Sequence, residues 1–138
     1  MRRCLIVANQ TLAGPHVLAA VGARQAREPY EFHILVPASH VHMGMWTEGH
    51  ALAQARAVLR EALDRFAEAG IPASGEVGDT NPLLAVDDVL RREHFDEIIL
   101  STLPPGASRW LKRDLPRRFE QRFAIPVTHI VAASEPVS

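Results

Sequence analysis

A loop rich in basic and hydroxyl side chains follows the apolar run at 96–101 and is the stretch best suited to bind a ligand. Between residues 109 and 122, six basic side chains are opposed by two acidic ones, a local charge of +4 in a chain of net charge −1. Hydroxyl, guanidinium and free backbone N–H groups are donors that bind phosphate and similar anions. The loop therefore predicts an anion site, and its expected contacts are Ser108, Arg109 and Lys112.

The same stretch contains residues that oppose tight phosphate binding or have other interpretations. Pro104 and Pro105 remove two N–H donors from the loop. Trp110 either stacks on a bound base or fills the core under the loop, and we favour the core position. We interpret the three later arginines as a solvated helix face rather than as anion ligands; they are Arg117, Arg118 and Arg122.

A loop rich in histidine and methionine follows the second apolar run. His40, His42 and His50 lie within eleven residues together with Met43 and Met45, and imidazole and thioether groups bind soft or borderline metals. No cysteine or aspartate nearby completes a recognisable ligand spacing. We therefore interpret this loop as a flap beside the ligand crevice and assign no metal site, and a metal-responsive protein remains the weakest alternative.

Catalysis is not expected of this chain. A hydrolase needs a nucleophile, a base and an orienting group in contact, and the candidates would be Ser101 or Ser108 with a histidine and Asp114. The sequence contains neither a Gly-x-Ser-x-Gly elbow nor a Walker-type loop. No residue is assigned a catalytic role, and the chain is not expected to be an enzyme.

Short apolar runs alternate with longer segments of helical periodicity, which predicts βαβ units and a mainly parallel sheet. Strands are predicted at 4–8, 32–36, 71–77, 96–101 and 126–132, and helices at about 14–27, 48–69, 82–92 and 114–123. Asp114 is the expected cap of the last helix, and Gly70 is expected to end the second helix in a left-handed conformation. Because ligands bind at the carboxyl ends of such strands, where strand order reverses, the site is expected between the loops after the first and fourth strands.

Length and composition predict one globular domain. The 138 residues, 47% hydrophobic and 22% charged, are enough for one sheet between helical layers. The net charge of −1 gives no global signal for a nucleic-acid or membrane partner. A single cysteine, Cys4, excludes an intramolecular disulfide, and the apolar run that it begins is too short for a signal peptide or a membrane span. We expect one cytoplasmic domain over residues 1–138, with a frayed tail at 133–138.

Three motifs occur in a fixed order in the second half of the chain. They are Val-Gly-Asp at 77–79, Phe-Asp-Glu-Ile-Ile-Leu-Ser-Thr at 95–102 and Ile-Pro-Val-Thr-His-Ile-Val at 125–131. In residue type and spacing they resemble the universal stress protein family, and the resemblance extends over nearly the whole chain. It implies a three-layer α/β sandwich of Rossmann or flavodoxin type, with a five-stranded parallel sheet of order 3-2-1-4-5. It also implies a homodimer that pairs along the edge of the fifth strand, where an unpaired strand offers backbone donors and acceptors.

The resemblance further implies ATP or AMP as the ligand, bound at the junction of the first and fourth strands. The positions that would surround it, beside the three loop residues named above, are Ala8, Asn9, Gln10, Val36, Ser101, Thr102 and Gly106.

Several of these positions depart from the pattern of the ATP-binding members. Such members carry an acidic residue where this chain has Asn9, and glycines where it has Ser101 and Pro104. Asp114 and Leu115 stand in place of a Gly-Ser pair, and an aspartate there would repel phosphate. Two functions stay open: a small regulatory domain that binds a nucleotide or another anionic ligand, or a homodimeric, stress-associated interaction protein that no longer binds nucleotide.

Overall fold

Strands and helices alternate along the chain, as the sequence predicts. The computed structural model describes residues 1–8, 15–38, 48–102 and 114–131. The strands are β1 (Arg2–Val7), β2 (Tyr30–Pro37), β3 (Ala73–Gly78), β4 (Glu97–Thr102) and β5 (Val127–Val131). The helices in the described ranges are α1 (Pro15–Arg27), α2 (Glu48–Glu68), α3 (Pro82–Arg92) and α4 (Leu115–Arg122). Each lies within about two residues of its predicted bounds.

The five strands form one parallel sheet in the order β3-β2-β1-β4-β5, which confirms the expected topology. The order reverses between β1 and β4, whose backbones pair from Cys4 with Glu97 to Val7 with Leu100. All strands run the same way, so the sheet has a carboxyl edge, where the strands end at Val7, Pro37, Gly78, Thr102 and Val131, and an amino edge, where they begin. The described strands leave β3 and β5 at the two sides of the sheet.

Helices cover both faces of the sheet because successive strand residues point to opposite sides. One face packs against α1 and α2, and its buried side chains include Ile6, Ile34, Ile99, Val21 and Phe66. The other face packs against α3 and α4, and its buried side chains include Leu5, Leu35, Leu100, Val86 and Phe119. The central strands are apolar on both faces, which is the pattern of a parallel sheet buried between two helical layers.

The helix ends follow local sequence in two cases and depart from it in a third. Asn81 caps α3, with its side-chain oxygen accepting a hydrogen bond of 3.0 Å from the backbone N–H of Leu83. Gly70 follows α2 with a φ of 78°, as predicted. Asp114 occupies the cap position of α4, but the prediction that it caps through its side chain is wrong. Its φ of 55° is left-handed, and its carboxylate makes no capping hydrogen bond but lies 3.9 Å from the guanidinium of Arg117.

Within the part of the chain that the structure describes, every helix is too short or too polar to cross a membrane.

Candidate functional site

The junction of β1 and β4 is the point at the carboxyl edge where a ligand can enter between two strands. Ala8 is the residue after β1, and Ser101 and Thr102 end β4. Val7 pairs with Leu100, so the next residues in the same register are Ala8 and Ser101, and they lie side by side. The helices that follow β1 and β4 lie on opposite faces of the sheet, which is the arrangement at which open α/β sheets bind their ligands.

Four of the residues predicted to form the site lie in the described strands and their ends. Ala8 and Val36 are 0% exposed and belong to the apolar layer under α1 and α2. Ser101 and Thr102 are 1% and 2% exposed, which makes them the buried hydroxyls at the end of β4. The structure brings these four residues to one end of the sheet on two adjacent pairs of strands.

The remaining residues of the predicted site lie outside the described residues, and their roles stay predictions. They are Asn9, Gln10, Gly106, Ser108, Arg109 and Lys112. The same holds for Trp110, for His40 and His42 of the histidine-rich loop, and for the side chain of His50.

A hydrogen bond between a hydroxyl and an imidazole joins the end of β4 to β5. Thr102 Oγ1 lies 2.8 Å from His129 Nε2, and Thr102 is almost fully buried. The two side chains are diagonal neighbours on the face that α3 and α4 cover, because Leu100 is the register partner of His129. The pair fixes the rotamer of the Thr102 side chain at the carboxyl edge.

Burial lowers the pKa of His129 below its usual 6.5, although the negative charge of Glu120 on α4 acts in the opposite direction. The imidazole is therefore neutral near pH 7. Its Nε2 forms a hydrogen bond with the Thr102 hydroxyl, and the tautomer of the imidazole decides which of the two donates. Among the described residues, no carboxylate bonds the other ring nitrogen of His129. Thr102 and His129 have the spacing of a hydroxyl and a base, and both groups can form a hydrogen bond with a polar ligand atom.

The three arginines of α4 lie on the outside of that helix. Arg117, Arg118 and Arg122 are exposed, and Arg122 bonds the carboxylate of Asp87 on α3 through Nε at 3.0 Å. The exposure of the three agrees with the predicted solvated helix face, and Arg122 also joins α4 to α3.

The amino edge of the sheet has a different chemistry, because a buried carboxylate lies there. Glu97, the first residue of β4, is 9% exposed and bonds the guanidinium of Arg24 on α1. It also accepts hydrogen bonds from the hydroxyl of Tyr30 at 3.1 Å and from Arg2 at 3.5 Å. Burial alone would raise the pKa of Glu97, but the hydrogen bond and charge of Arg24, with Tyr30 and Arg2, outweigh it and lower the pKa. The network ties α1 to the starts of β1, β2 and β4.

His129 is the residue at the carboxyl edge that sequence reasoning missed. It appeared only as a member of the last-strand motif at 125–131. A polar residue flanked by β-branched ones in a predicted edge strand is a usable signal, since every second side chain faces a helix layer. Its partner Thr102, however, is set by the pairing of β4 with β5, which a single sequence does not contain.

Comparisons with known proteins identify the class of fold. A universal stress protein family protein from Burkholderia pseudomallei superposes with a TM-score of 0.67 at 13% identity, over 93% of this chain and 94% of that one. A universal stress protein from Archaeoglobus fulgidus gives 0.64 at 10% identity, over 94% and 93%. A family protein from Arabidopsis thaliana with AMP bound gives 0.58 at 9% identity, over 100% and 97%.

The sequence itself matches neither a protein-family model nor a curated protein. The similarity is therefore one of architecture, over nearly the full length of each chain. The protein has the universal stress protein fold, with the sheet order and the helix layers that the resemblance implied.

Proposed function

We propose that the chain is a small regulatory domain of universal stress protein type that binds an adenine nucleotide or another anionic ligand at the junction of β1 and β4. The observation that carries the proposal is the adjacency of the two strand exits at the carboxyl edge, with Thr102 held by His129 beside them. A fixed, buried hydroxyl and a neutral imidazole suit a charged ligand, because neither group carries a charge that would need a counter-ion of its own in the site.

The bound AMP of the Arabidopsis thaliana protein supports a nucleotide as the ligand class. In our proposal Ala8 and Val36 form the apolar floor, and Thr102 orients the ligand at the end of β4. Asn9, Gln10, Ser101 and Gly106 complete the wall, and Ser108, Arg109 and Lys112 contact the anionic group. The net contribution of each charge-assisted hydrogen bond would be about 1.5–3 kcal/mol.

Ligand titration of the purified chain tests this proposal directly. AMP, ATP, a cyclic nucleotide and inorganic phosphate are added separately, and the melting temperature and the heat of binding are measured. A ligand at about 100 times its dissociation constant stabilises the fold by about 2.7 kcal/mol. No stabilisation by any of the four would contradict ligand binding at this site.

A matched pair of double variants locates the site. Arg109→Gln with Lys112→Gln removes two charges from the proposed anion site, and we expect it to abolish the shift. Arg117→Gln with Arg118→Gln removes the same charge from the solvated face of α4, and we expect the shift to persist. Equal losses in both would show that the loop acts only through general electrostatic attraction.

A homodimeric interaction protein is the second candidate, and the side of the sheet at β5 favours it. Among the described strands β5 pairs only with β4, and Val131 at its end is a large hydrophobic residue that is 39% exposed. Such a strand edge is a template for pairing with a second copy. In this proposal the protein is a stress-associated module of the cytoplasm, where its free Cys4 thiol stays reduced.

Sedimentation of the full chain tests the homodimer. We expect a dimer that Val131→Asp dissociates, because the new charge would be buried against the partner's edge. Leu84→Asp, on a similarly exposed leucine of α3, is the matched control and should leave the dimer intact. A monomer at all concentrations, or equal effects of the two substitutions, would reject the β5 interface.

A further inference from the structure

Three side chains that commonly bind metals meet on the sheet face that α3 covers. His33 comes from β2, Glu76 from β3, and Glu93 is the residue that ends α3. One ligand atom of each lies within 4.8 Å of the others. The cluster lies beside the middle of β2 and β3, and it shares no residue with the proposed nucleotide site.

The imidazole of His33 is fixed at both nitrogens. Nδ1 lies 2.7 Å from Ser74 Oγ, and Nε2 lies 2.8 Å from Glu76 Oε1. The residue is 9% exposed, and its ring lies 5.9 Å from that of Phe95. In the metal-free protein Nε2–H donates to the Glu76 carboxylate, which can only accept, and Nδ1 accepts from the Ser74 hydroxyl. When a metal ion displaces the proton from Nε2, the neutral imidazole carries its proton on Nδ1, which donates to Ser74 and leaves the Nε2 lone pair for the metal; such a second hydrogen bond orients a metal-binding histidine.

Small movements of the carboxylates would complete a metal geometry. Tetrahedral zinc, with bonds of about 2.0–2.1 Å to nitrogen and oxygen, spaces its ligand atoms about 3.3 Å apart. Glu76 would move away from His33 by about half an ångström, and Glu93 would approach by at most about 1.5 Å. Both glutamates can make these shifts, because their side chains are 29% and 33% exposed.

Two arginines neutralise the carboxylates in the metal-free protein. Arg3 lies 2.7 Å from Glu93, and Arg92 lies 2.7 Å from Glu76. A cation would compete with both, but Arg92 is half exposed and can turn into water. Arg3 would keep its second partner, Glu31, at 3.3 Å. The competition weakens metal binding, so removal of the Arg92 charge should raise the metal affinity by a measurable amount.

A path from solvent leads to the cluster. Glu76 and Arg92 line an open groove of about 530 Å³ beside α3, together with Asp79, Asp88 and Arg91. A hydrated cation would meet mixed charges in the groove before it reaches the cluster.

We propose that His33, Glu76 and Glu93 bind a zinc ion, with water in the fourth position and Ser74 as the residue that positions the imidazole. The mixed nitrogen and oxygen donors select zinc over magnesium and calcium, which prefer oxygen ligands alone. The described residues of the cluster contribute no sulfur, which disfavours copper(I). The three ligands come from β2, β3 and the end of α3, so the bound ion would link α3 to the β3 side of the sheet.

Metal binding by the full chain tests the site. His40, His42 and His50 are first replaced by alanine, so that the histidine-rich loop cannot contribute. Zinc affinity is then measured by calorimetry, and cobalt(II) absorption reports the coordination. We expect one metal ion per chain, an affinity at least about tenfold weaker in Glu93→Gln and in His33→Gln, and about tenfold weaker in Ser74→Ala.

Two control variants separate metal ligation from charge and folding. Glu28→Gln removes a carboxylate of the same charge that pairs with Arg2 rather than with Arg3, and it should leave the affinity unchanged. Arg92→Gln removes the competing cation and should strengthen zinc binding, an effect that unfolding cannot produce. The proposal fails if the background variant binds no zinc, if Glu28→Gln and Glu93→Gln weaken binding equally, or if Arg92→Gln does not strengthen it.

Discussion

The two edges of the sheet use polar groups in opposite ways. At the amino edge, the buried Glu97 is neutralised by Arg24 and receives further hydrogen bonds from Tyr30 and Arg2. At the carboxyl edge, the buried polar side chains of the described chain are the hydroxyls of Ser101 and Thr102. The partly buried imidazole of His129 beside them has a lowered pKa, so these groups carry no charge near pH 7.

The difference teaches where this fold can accept a ligand. A buried ion pair is costly to break, because removing one partner leaves an uncompensated charge. The amino edge is therefore committed to holding α1, β1, β2 and β4 together. Neutral hydrogen-bonding groups cost less to rearrange, and the carboxyl edge can exchange one partner for a ligand atom.

Removal of the buried charge should have the largest effect on stability. In Glu97→Gln, Arg24 and Arg2 lose their shared anion, and we expect a loss on the order of 3 kcal/mol in the free energy of unfolding. Urea denaturation followed by circular dichroism measures it. Glu61→Gln is the control, since Glu61 is exposed and lies 3.5 Å from Arg65 on the surface of α2. Its effect should stay below about 0.5 kcal/mol, and equal losses in both would refute the comparison.

Acid should remove the same contribution from the wild-type chain. The folded pKa of Glu97 lies below its ordinary 4.5, so its contribution is present above that pH and is lost as the pH falls through the folded pKa. We expect the unfolding free energy to decline below about pH 4.5, and to decline less steeply in Glu97→Gln. Parallel pH profiles for the two proteins would show that other carboxylates dominate acid unfolding.

Local sequence patterns predicted the elements well because each element depends on near neighbours. The bounds of α2 and the left-handed Gly70 that follows it are examples, and the structure has both. Asp114 is the exception, since the chain leaves the preceding loop in a left-handed conformation that turns its carboxylate from the helix end.

The polar clusters could not be predicted in the same way. Glu97 binds Arg24, which lies 73 residues away, and His33 binds Glu76 across a strand pairing. Such partners are fixed by sheet register and by which helix covers which face, and a single sequence states neither. The loop at 103–113 is a third case, because its basic composition indicates an anion but not the direction of its side chains.

Loss of the hydroxyl at the carboxyl edge should have a smaller effect. Thr102→Val keeps the shape of the side chain but leaves His129 Nε2 without this hydrogen bond, and we expect a loss of about 1 kcal/mol. Thr128→Val on the neighbouring strand is the matched control, because its hydroxyl accepts a hydrogen bond of 3.3 Å from Arg24 at an exposed position. We expect only a few tenths of a kcal/mol there. A larger loss in Thr128→Val would mean that the buried pair contributes less than the exposed one.

The pH dependence near neutrality should show the smallest effect and the sharpest distinction between the edges. The folded pKa of His129 lies below 6.5, so the unfolded chain binds its proton first and the fold is destabilised as the pH falls through 6.5 toward the folded pKa. His129→Gln keeps a partner for Thr102 but cannot titrate, and its stability should vary less between about pH 7.5 and 5. His16→Gln replaces an exposed histidine of α1 that forms no ion pair with the described residues, and it is the control for the substitution itself. If the His129→Gln profile instead matches that of wild type, His129 does not resist protonation in the fold, and the carboxyl edge is not the neutral end of the sheet.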